Sequence, residues 1–194
     1  MYMNQGNKKN KIAIIGHTRG IGKAIADLYQ KKKYEVIGLS SSNGYDLQCS
    51  QLEIMEQLDE CQLIVLNAYV GGGQMTLLKR IYGKFVFENK KVVVITSTSG
   101  TPVGEDEELL DPEYVEYCKN KKTLIEYIEQ LQQELMNKPL SVYDVCPDVV
   151  DTDMTKGLWE DLPKLKAVEV AEAVRYCFES TFNVNKIVMQ KNVS

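Results

Sequence analysis

Short apolar runs alternate with longer amphipathic ones along this chain. The short runs are Ile12–Ile15, Glu35–Leu39, Leu63–Leu66, Val92–Thr96, Ser141–Val145 and Lys186–Met189. They are rich in Val and Ile and mostly apolar on both faces, as strands covered by helices on both sides should be. The amphipathic runs, Ile21–Lys32, Gln51–Leu58, Met75–Tyr82, Pro112–Met136 and Val168–Ser180, predict helices. Asp111-Pro112 reads as an N-cap followed by proline at the first helical position. This alternation predicts an α/β fold, a doubly wound parallel sheet with right-handed crossovers. Only 23 residues, 40–62, separate the second and third strands. They have room for a minimal strand near Tyr45–Leu47 and one short helix. The chain then divides into a polar tail, 1–10, and a single domain, 11–194.

With 194 residues the chain is long enough to bury a real core as one domain. A net charge of −4 provides no global field for nucleic acid or an anionic membrane, so neither is an expected partner. No apolar run approaches bilayer-spanning length, and the opening MYMNQGNKKN lacks the apolar core of a signal peptide. The five cysteines are widely spaced without a CxxC pair, and His17 is the only histidine. Structural zinc and a disulfide framework are disfavoured, no metal is expected, and a reducing cytoplasm is the expected compartment.

The first chemistry-bearing stretch is KIAIIGHTRGIGKAIADLY, Lys11–Tyr29. Gly16 suits a tight turn off the first strand. Gly20 removes a Cβ from the path of a pyrophosphate, and Gly22 lets the helix pack closely on the sheet. The helix amino terminus then offers free N–H groups and the positive end of its dipole. A Rossmann-type dinucleotide site over Gly16, Thr18, Arg19, Gly20, Ile21 and Gly22 is the functional reading. A plain strand-to-helix turn is the bland one. The second strand ends Leu39-Ser40-Ser41-Ser42, without the carboxylate that would repel a 2′-phosphate. Ser40, Ser41 and Arg19 therefore favour NADP(H) over NAD(H). The alternative is a solvated arginine and an ordinary turn. His17, with no carboxylate neighbour in sequence, reads as a loop residue.

The second stretch is ITSTSG followed by EYVEYCKNKKTLIEY. Strand carboxyl ends are where ligands sit in such a sheet, which places Ser97 at the site. Tyr117 and Lys121 are four apart and share a helix face. An ammonium beside the phenol would lower its pKa and make it a usable general acid/base. Any isolated pair of this kind is more often a packed tyrosine and a solvated lysine.

Taken together the motifs resemble the short-chain dehydrogenases/reductases. Gly16-His-Thr-Arg-Gly20-Ile-Gly22 is similar to the family's glycine motif, and Leu66-Asn67-Ala68-Tyr69 to its N-N-A-G segment. ITSTSG places the family's catalytic serine on Ser97, YCKNK supplies Tyr117 and Lys121, and VCPDVVDTDM resembles its P-G-x-x-x-T segment. The motifs run in family order from Lys11 to Met154, most of the chain. The resemblance implies hydride transfer between a nicotinamide and a small carbonyl or alcohol substrate. Tyr117 would be the proton donor, Lys121 would tune it and hold the nicotinamide ribose, and Ser97 would position the substrate oxygen. Pro147, Val150 and Thr152 would hold the nicotinamide end, Asp46 and Leu47 would flank the adenine, and Asn67 and Ala68 would line the adenosine ribose. Relatives often pair through their fourth and fifth helices, which implies a homodimer.

Several features depart from that pattern. The family's catalytic asparagine has no clear equivalent, and Gly71-Gly72-Gly73-Gln74-Met75 occupies the region. Asp148 replaces the glycine after Pro147. The interval from Ser97 to Tyr117 is longer than usual and holds GEDEELLDPE, a lid or a plain acidic loop. Trp159 belongs to a substrate-side loop or is a hydrophobic anchor. A non-catalytic NADP(H)-binding sensor or regulator is therefore the alternative to an enzyme. A sugar-nucleotide epimerase or dehydratase ranks last, because the short carboxyl end leaves little room for its second domain.

Overall fold

The computed structural model describes residues 10–100 and 111–192. All six apolar runs become strands of one parallel sheet: β1 (Lys11–Ile15), β2 (Glu35–Leu39), β3 (Leu63–Leu66), β4 (Lys91–Ile95), β5 (Ser141–Pro147) and β8 (Lys186–Met189). Their order is β2-β1-β3-β4-β5-β8. A second, two-residue pairing, β6 (Val150–Asp151) with β7 (Leu165–Lys166), was too short to leave a sequence pattern. The helices are α1 (Gly20–Lys31), α2 (Gln51–Gln57), α3 (Gly73–Phe85), α4 (Pro112–Glu134) and α5 (Ala167–Glu179).

Strand alternation sorts the core into two layers. Ala13 and Ile15 of β1 face α2, α3 and α4 with Leu77, Ile81 and Ile128. Ile12 and Ile14 face α1 and α5 with Ile25 and Val174. Both faces are dry, so the strands carry no polar alternation. At the head of α4, Asp111 Oδ1 accepts from the amides of Glu113 at 2.8 Å and Tyr114 at 3.4 Å, and Pro112 follows it. The cap lies where the sequence predicts it. Residues 101–110, with most of the acidic interval, lie outside the described residues.

The strand expected near Tyr45–Leu47 does not form. Local side chains satisfy the backbone donors there instead. Asn43 Oδ1 accepts from the Ser40 amide at 2.8 Å. Asp46 Oδ1 accepts from the amides of Gln48 and Cys49 at 2.8 and 3.1 Å. Such side-chain turns compete with strand pairing, and β2 is left as the sheet edge. The chain leaves β1 for β2 on one side and returns to β3 on the other. The crevice outside the carboxyl ends of β1 and β3 is thus the topological switch point, the ligand position of this architecture. Among the described residues, no helix is long and apolar enough to cross a membrane.

Candidate active site at the carboxyl edge of the sheet

The glycine turn is built for closeness. The Gly16 amide donates to the Leu39 carbonyl at 2.7 Å, and the amides of Asn67 and Ala68 donate to the Ile15 carbonyl at 3.1 and 2.9 Å. These bonds splice β1, β2 and β3 at one edge. Gly16 has φ +86°, and a Cβ there would stand 2.9 Å from Ala68. A Cβ on Gly22 would stand 1.9 Å from the Gly16 carbonyl oxygen. Asn67 Nδ2 donates to that same carbonyl at 2.9 Å, so Asn67 braces the turn. The first amides of α1 lack partners within the helix and face the crevice end. Thr152 arrives from β6, its methyl 3.1 Å from where a Gly20 Cβ would stand. The turn and the segment after β6 therefore lie against each other.

Other predicted cofactor contacts are placed less simply. Thr18, Arg19 and Ser41 are exposed beside the turn, and Ile21 is half-buried. Ser40 is buried, and its hydroxyl donates to Asn43 Oδ1 at 3.0 Å, which occupies it within the turn. Asp46 is engaged by the two amides of its own turn. Leu47 is 3% exposed and packs in the core, and Val150 is buried in the opposite layer. Pro147 ends β5 at the same sheet edge. His17 lies against Gly38 of β2, as a loop residue would, and its Nδ1 is buried without a hydrogen-bond partner among the described residues.

Ser97, Tyr117 and Lys121 come together beyond β4. Burial raises the Tyr117 phenol, against a hydrogen bond with Ser97 that lowers it, to about 12. The lowering expected from Lys121 is absent. The Lys121 ammonium turns inward and donates to Gln74 Oε1 and the Ile95 carbonyl, both at 3.0 Å. Its nitrogen lies 5.7 Å from the Tyr117 ring centroid, and burial of the phenol outweighs it. Lys121 is 3% exposed. Burial lowers its pKa to about 8, opposed first by the negative field of Asp144.

Motif matching gave no place to Gln74, which the structure puts against Lys121. It is 2% exposed at the first turn of α3. Its Nε2 donates to the carbonyls of Leu66 at 2.7 Å and Ile95 at 3.0 Å, while its Oε1 receives Lys121. One amide thus ties β3, β4 and the α4 lysine together. The signal was present in the helical period: Gln74 falls on the stripe of Leu77, Leu78, Ile81 and Phe85, a polar residue at a core position. Asp144 was missed likewise. It is 1% exposed on β5 and accepts from Thr96 Oγ1 at 2.5 Å, with Lys186 Nζ at 3.6 Å. Burial raises its carboxyl pKa, and the Thr96 bond and Lys186 oppose the rise.

A buried lysine near 8 has a measurable consequence. The unfolded chain keeps that proton to about pH 10.4, the folded one only to about 8. Between those values the unfolded state binds more protons, so this group's contribution to stability rises with pH. The buried thiols Cys61, Cys146 and Cys177, all raised by burial, act in the opposite sense over the same range. The lysine is therefore read by difference. From pH 7 to 10 the stability of the wild type minus that of Lys121→Met is expected to rise by on the order of 2–3 kcal/mol. Urea unfolding at both pH values measures it, and a pH-independent difference would contradict it.

Around the phenol lie three more rings. Tyr69 meets Tyr117 edge-on with centroids 4.8 Å apart, Tyr114 stacks at 6.2 Å, and Trp159 meets Tyr114 at 5.8 Å. Asp148, at the end of β5, accepts from Thr98 Oγ1 at 2.9 Å.

The whole fold superposes on known structures. A short-chain dehydrogenase from Burkholderia cenocepacia, solved with NADP, superposes at a TM-score of 0.74 with 13% identity, covering 95% of this chain and 90% of its own. The fold here is the short-chain dehydrogenase/reductase fold. The 3-alpha-hydroxysteroid dehydrogenase from a Pseudomonas species, solved with NADH, has the same fold, with a TM-score of 0.73 at 16% identity over 92% of this chain and 95% of that one. Among curated proteins, carbonyl reductase family member 4 of Xenopus laevis is 23% identical over 91% of this chain and 94% of its own length. No protein-family model matches the chain.

Proposed function

We propose that the protein is an oxidoreductase of the short-chain dehydrogenase/reductase type, exchanging a hydride between a nicotinamide and a carbonyl or alcohol. The observation that carries this is the convergence of Ser97, Tyr117 and Lys121 with the glycine turn on one carboxyl edge of the sheet. The chemistry of the turn suits a dinucleotide. No Cβ stands at Gly16 or Gly20 to keep a phosphate from the backbone, the first amides of α1 have no helix partners, and the nearby His17 Nδ1 has no hydrogen-bond partner among the described residues. Bound NADP(H) would supply the hydride. Gly16, Gly20 and the head of α1 would hold its phosphates, Thr152 its nicotinamide end, and Lys121 the nearby ribose.

The protein's own part is orientation and proton transfer. Ser97 and Tyr117 would both donate to the substrate oxygen. As the carbonyl carbon gains its hydride, the oxygen takes the Tyr117 proton and an alcohol leaves. The phenolate is then reprotonated from solvent. A phenol near 12 keeps its proton at neutral pH, which suits donation in the reducing direction. Lys121, still charged below about pH 8, would stabilise the phenolate as it forms.

NADP(H) is the preferred cofactor in this reading. Arg19 and Ser41 are exposed beside the turn, and no carboxylate ends β2. NADPH is expected to bind more tightly than NADH, and Arg19→Ala to weaken NADPH about tenfold, the loss of one charge-assisted hydrogen bond. NADH affinity should barely move. Titration of each cofactor by nicotinamide fluorescence tests this; equal losses for both would remove Arg19 from the phosphate site. A second reading, a cofactor-binding sensor without turnover, is favoured by the inward-turned Lys121. Tight NADPH binding without reduction of any carbonyl compound would select it.

A further inference from the structure

The segment between β6 and β7 carries Met154, Leu158, Trp159 and Leu162, each at least 41% exposed. Four large apolar side chains within nine residues form an open patch of the kind that marks a binding site. Trp159 is also held at φ +48°, a backbone region that bulky residues rarely occupy. Its ring is directed at Tyr114, which sits one turn before Tyr117 on α4 and stacks with it at an interplanar angle of 19°. Tyr69 closes the far side edge-on. Flat faces therefore lead from the surface to the phenol.

The polar groups beside the rings are already engaged. The Tyr114 hydroxyl donates to Ser99 Oγ at 3.2 Å, and the Asp148 carboxylate is held by Thr98. A polyhydroxylated substrate would bury hydroxyls against rings without partners for them. A carboxylate substrate would face Asp148. An aromatic ring would gain stacking on Tyr114 and Trp159 with no such cost. We propose that the site recognises an uncharged carbonyl compound with a flat aromatic body, its ring laid on the exposed side of the Tyr114–Trp159 pair and its carbonyl oxygen at Ser97 and Tyr117. The recognition rests on the rings; only its turnover rests on the oxidoreductase reading.

Trp159 is the chain's only tryptophan, so its emission reports the patch directly. The probe is 2-acetonaphthone, titrated into the full chain with and without NADPH, against pyruvate and dihydroxyacetone. Saturable quenching with at least tenfold tighter binding than either comparator is expected. Tyr114→Ala should weaken binding at least tenfold, and Tyr114→Phe, which keeps the ring, should restore it. Circular dichroism of both variants and their unchanged NADPH affinity exclude a folding defect. Equal affinity for the three compounds, or no loss in Tyr114→Ala, overturns the proposal. So does light scattering of a dimer whose Trp159 emission is insensitive to the probe, since a second copy would then cover the patch. Binding of 2-acetonaphthone without NADPH oxidation supports the recognition and defeats the oxidoreductase reading. NADPH oxidation by dihydroxyacetone or pyruvate without 2-acetonaphthone binding does the reverse.

Discussion

Replacing Tyr117 by phenylalanine is expected to slow carbonyl reduction by about 10²- to 10⁴-fold, the usual contribution of a positioned general acid. The change removes one oxygen and leaves the surroundings intact. The ring keeps its edge contact with Tyr69 and its stack on Tyr114. The hydrogen bond with Ser97 is lost, worth about 1 kcal/mol, too little to unfold an ordinary domain. NADPH affinity should change far less than turnover, because the phosphates would be held by the glycine turn, away from the phenol. Steady-state kinetics on a carbonyl substrate, with cofactor titration alongside, measure both. Full activity in the variant would remove Tyr117 as proton donor, and Tyr114, one turn away, would be the next residue to test.

The fold was legible because the strands are covered on both faces. Their unbroken Val and Ile runs stand out from helices whose apolar positions recur at helical spacing, and all six fall where the sequence predicts. The strand near Tyr45–Leu47 failed for a reason visible only in detail. Asn43 and Asp46 bond nearby backbone amides, and a segment so satisfied gains little from pairing with β2. Placement was legible where it depends on residue type at fixed spacing, as with Gly16, Gly20 and Gly22 at the turn after β1 or with Tyr117 and Lys121 on one face of α4. It was not legible where it depends on direction. Sequence spacing brings Lys121 to the face of Tyr117 but does not show that its ammonium turns inward to Gln74 and Ile95. Serine hydroxyls at the end of β2 suggest phosphate donors, yet Ser40 is consumed by the turn it helps to make.

Gln74 and Asp144 extend this point. Each is a polar residue on an otherwise apolar buried surface, and each contacts the structure behind the reacting groups. Gln74 fixes where the Lys121 ammonium sits. Asp144 supplies the negative field that holds on to its proton. A buried cation needs both a hydrogen-bonding partner and a countercharge, and here they come from α3 and β5. The lysine is thereby set by residues outside the glycine and Tyr-x-x-x-Lys motifs. The motif reading gives Lys121 the tuning of Tyr117 without showing Gln74 and Asp144 behind it.

The other large effect is expected from Gly22→Ala, and it falls on the fold before it reaches the chemistry. Alanine is the better helix former and would ordinarily stabilise a helix interior by about 1 kcal/mol. Here the added Cβ would lie 1.9 Å from the Gly16 carbonyl oxygen and 2.8 Å from Asn67 Nδ2. The first of these atoms is backbone, so the contact cannot be relieved by rotating a side chain. Either α1 lifts away from the sheet or the Gly16 turn moves, and both break the Asn67–Gly16 hydrogen bond. The clash outweighs the propensity gain, and a net loss of at least about 3 kcal/mol is expected. Urea unfolding of the two proteins without cofactor reads this term. Because the same displacement moves the head of α1 away from the phosphates, NADPH binding should fall in whatever fraction remains folded. An alanine variant as stable as the wild type, with NADPH affinity retained, would show that the turn is not closed as described, and the phosphate cradle would have to be sought elsewhere.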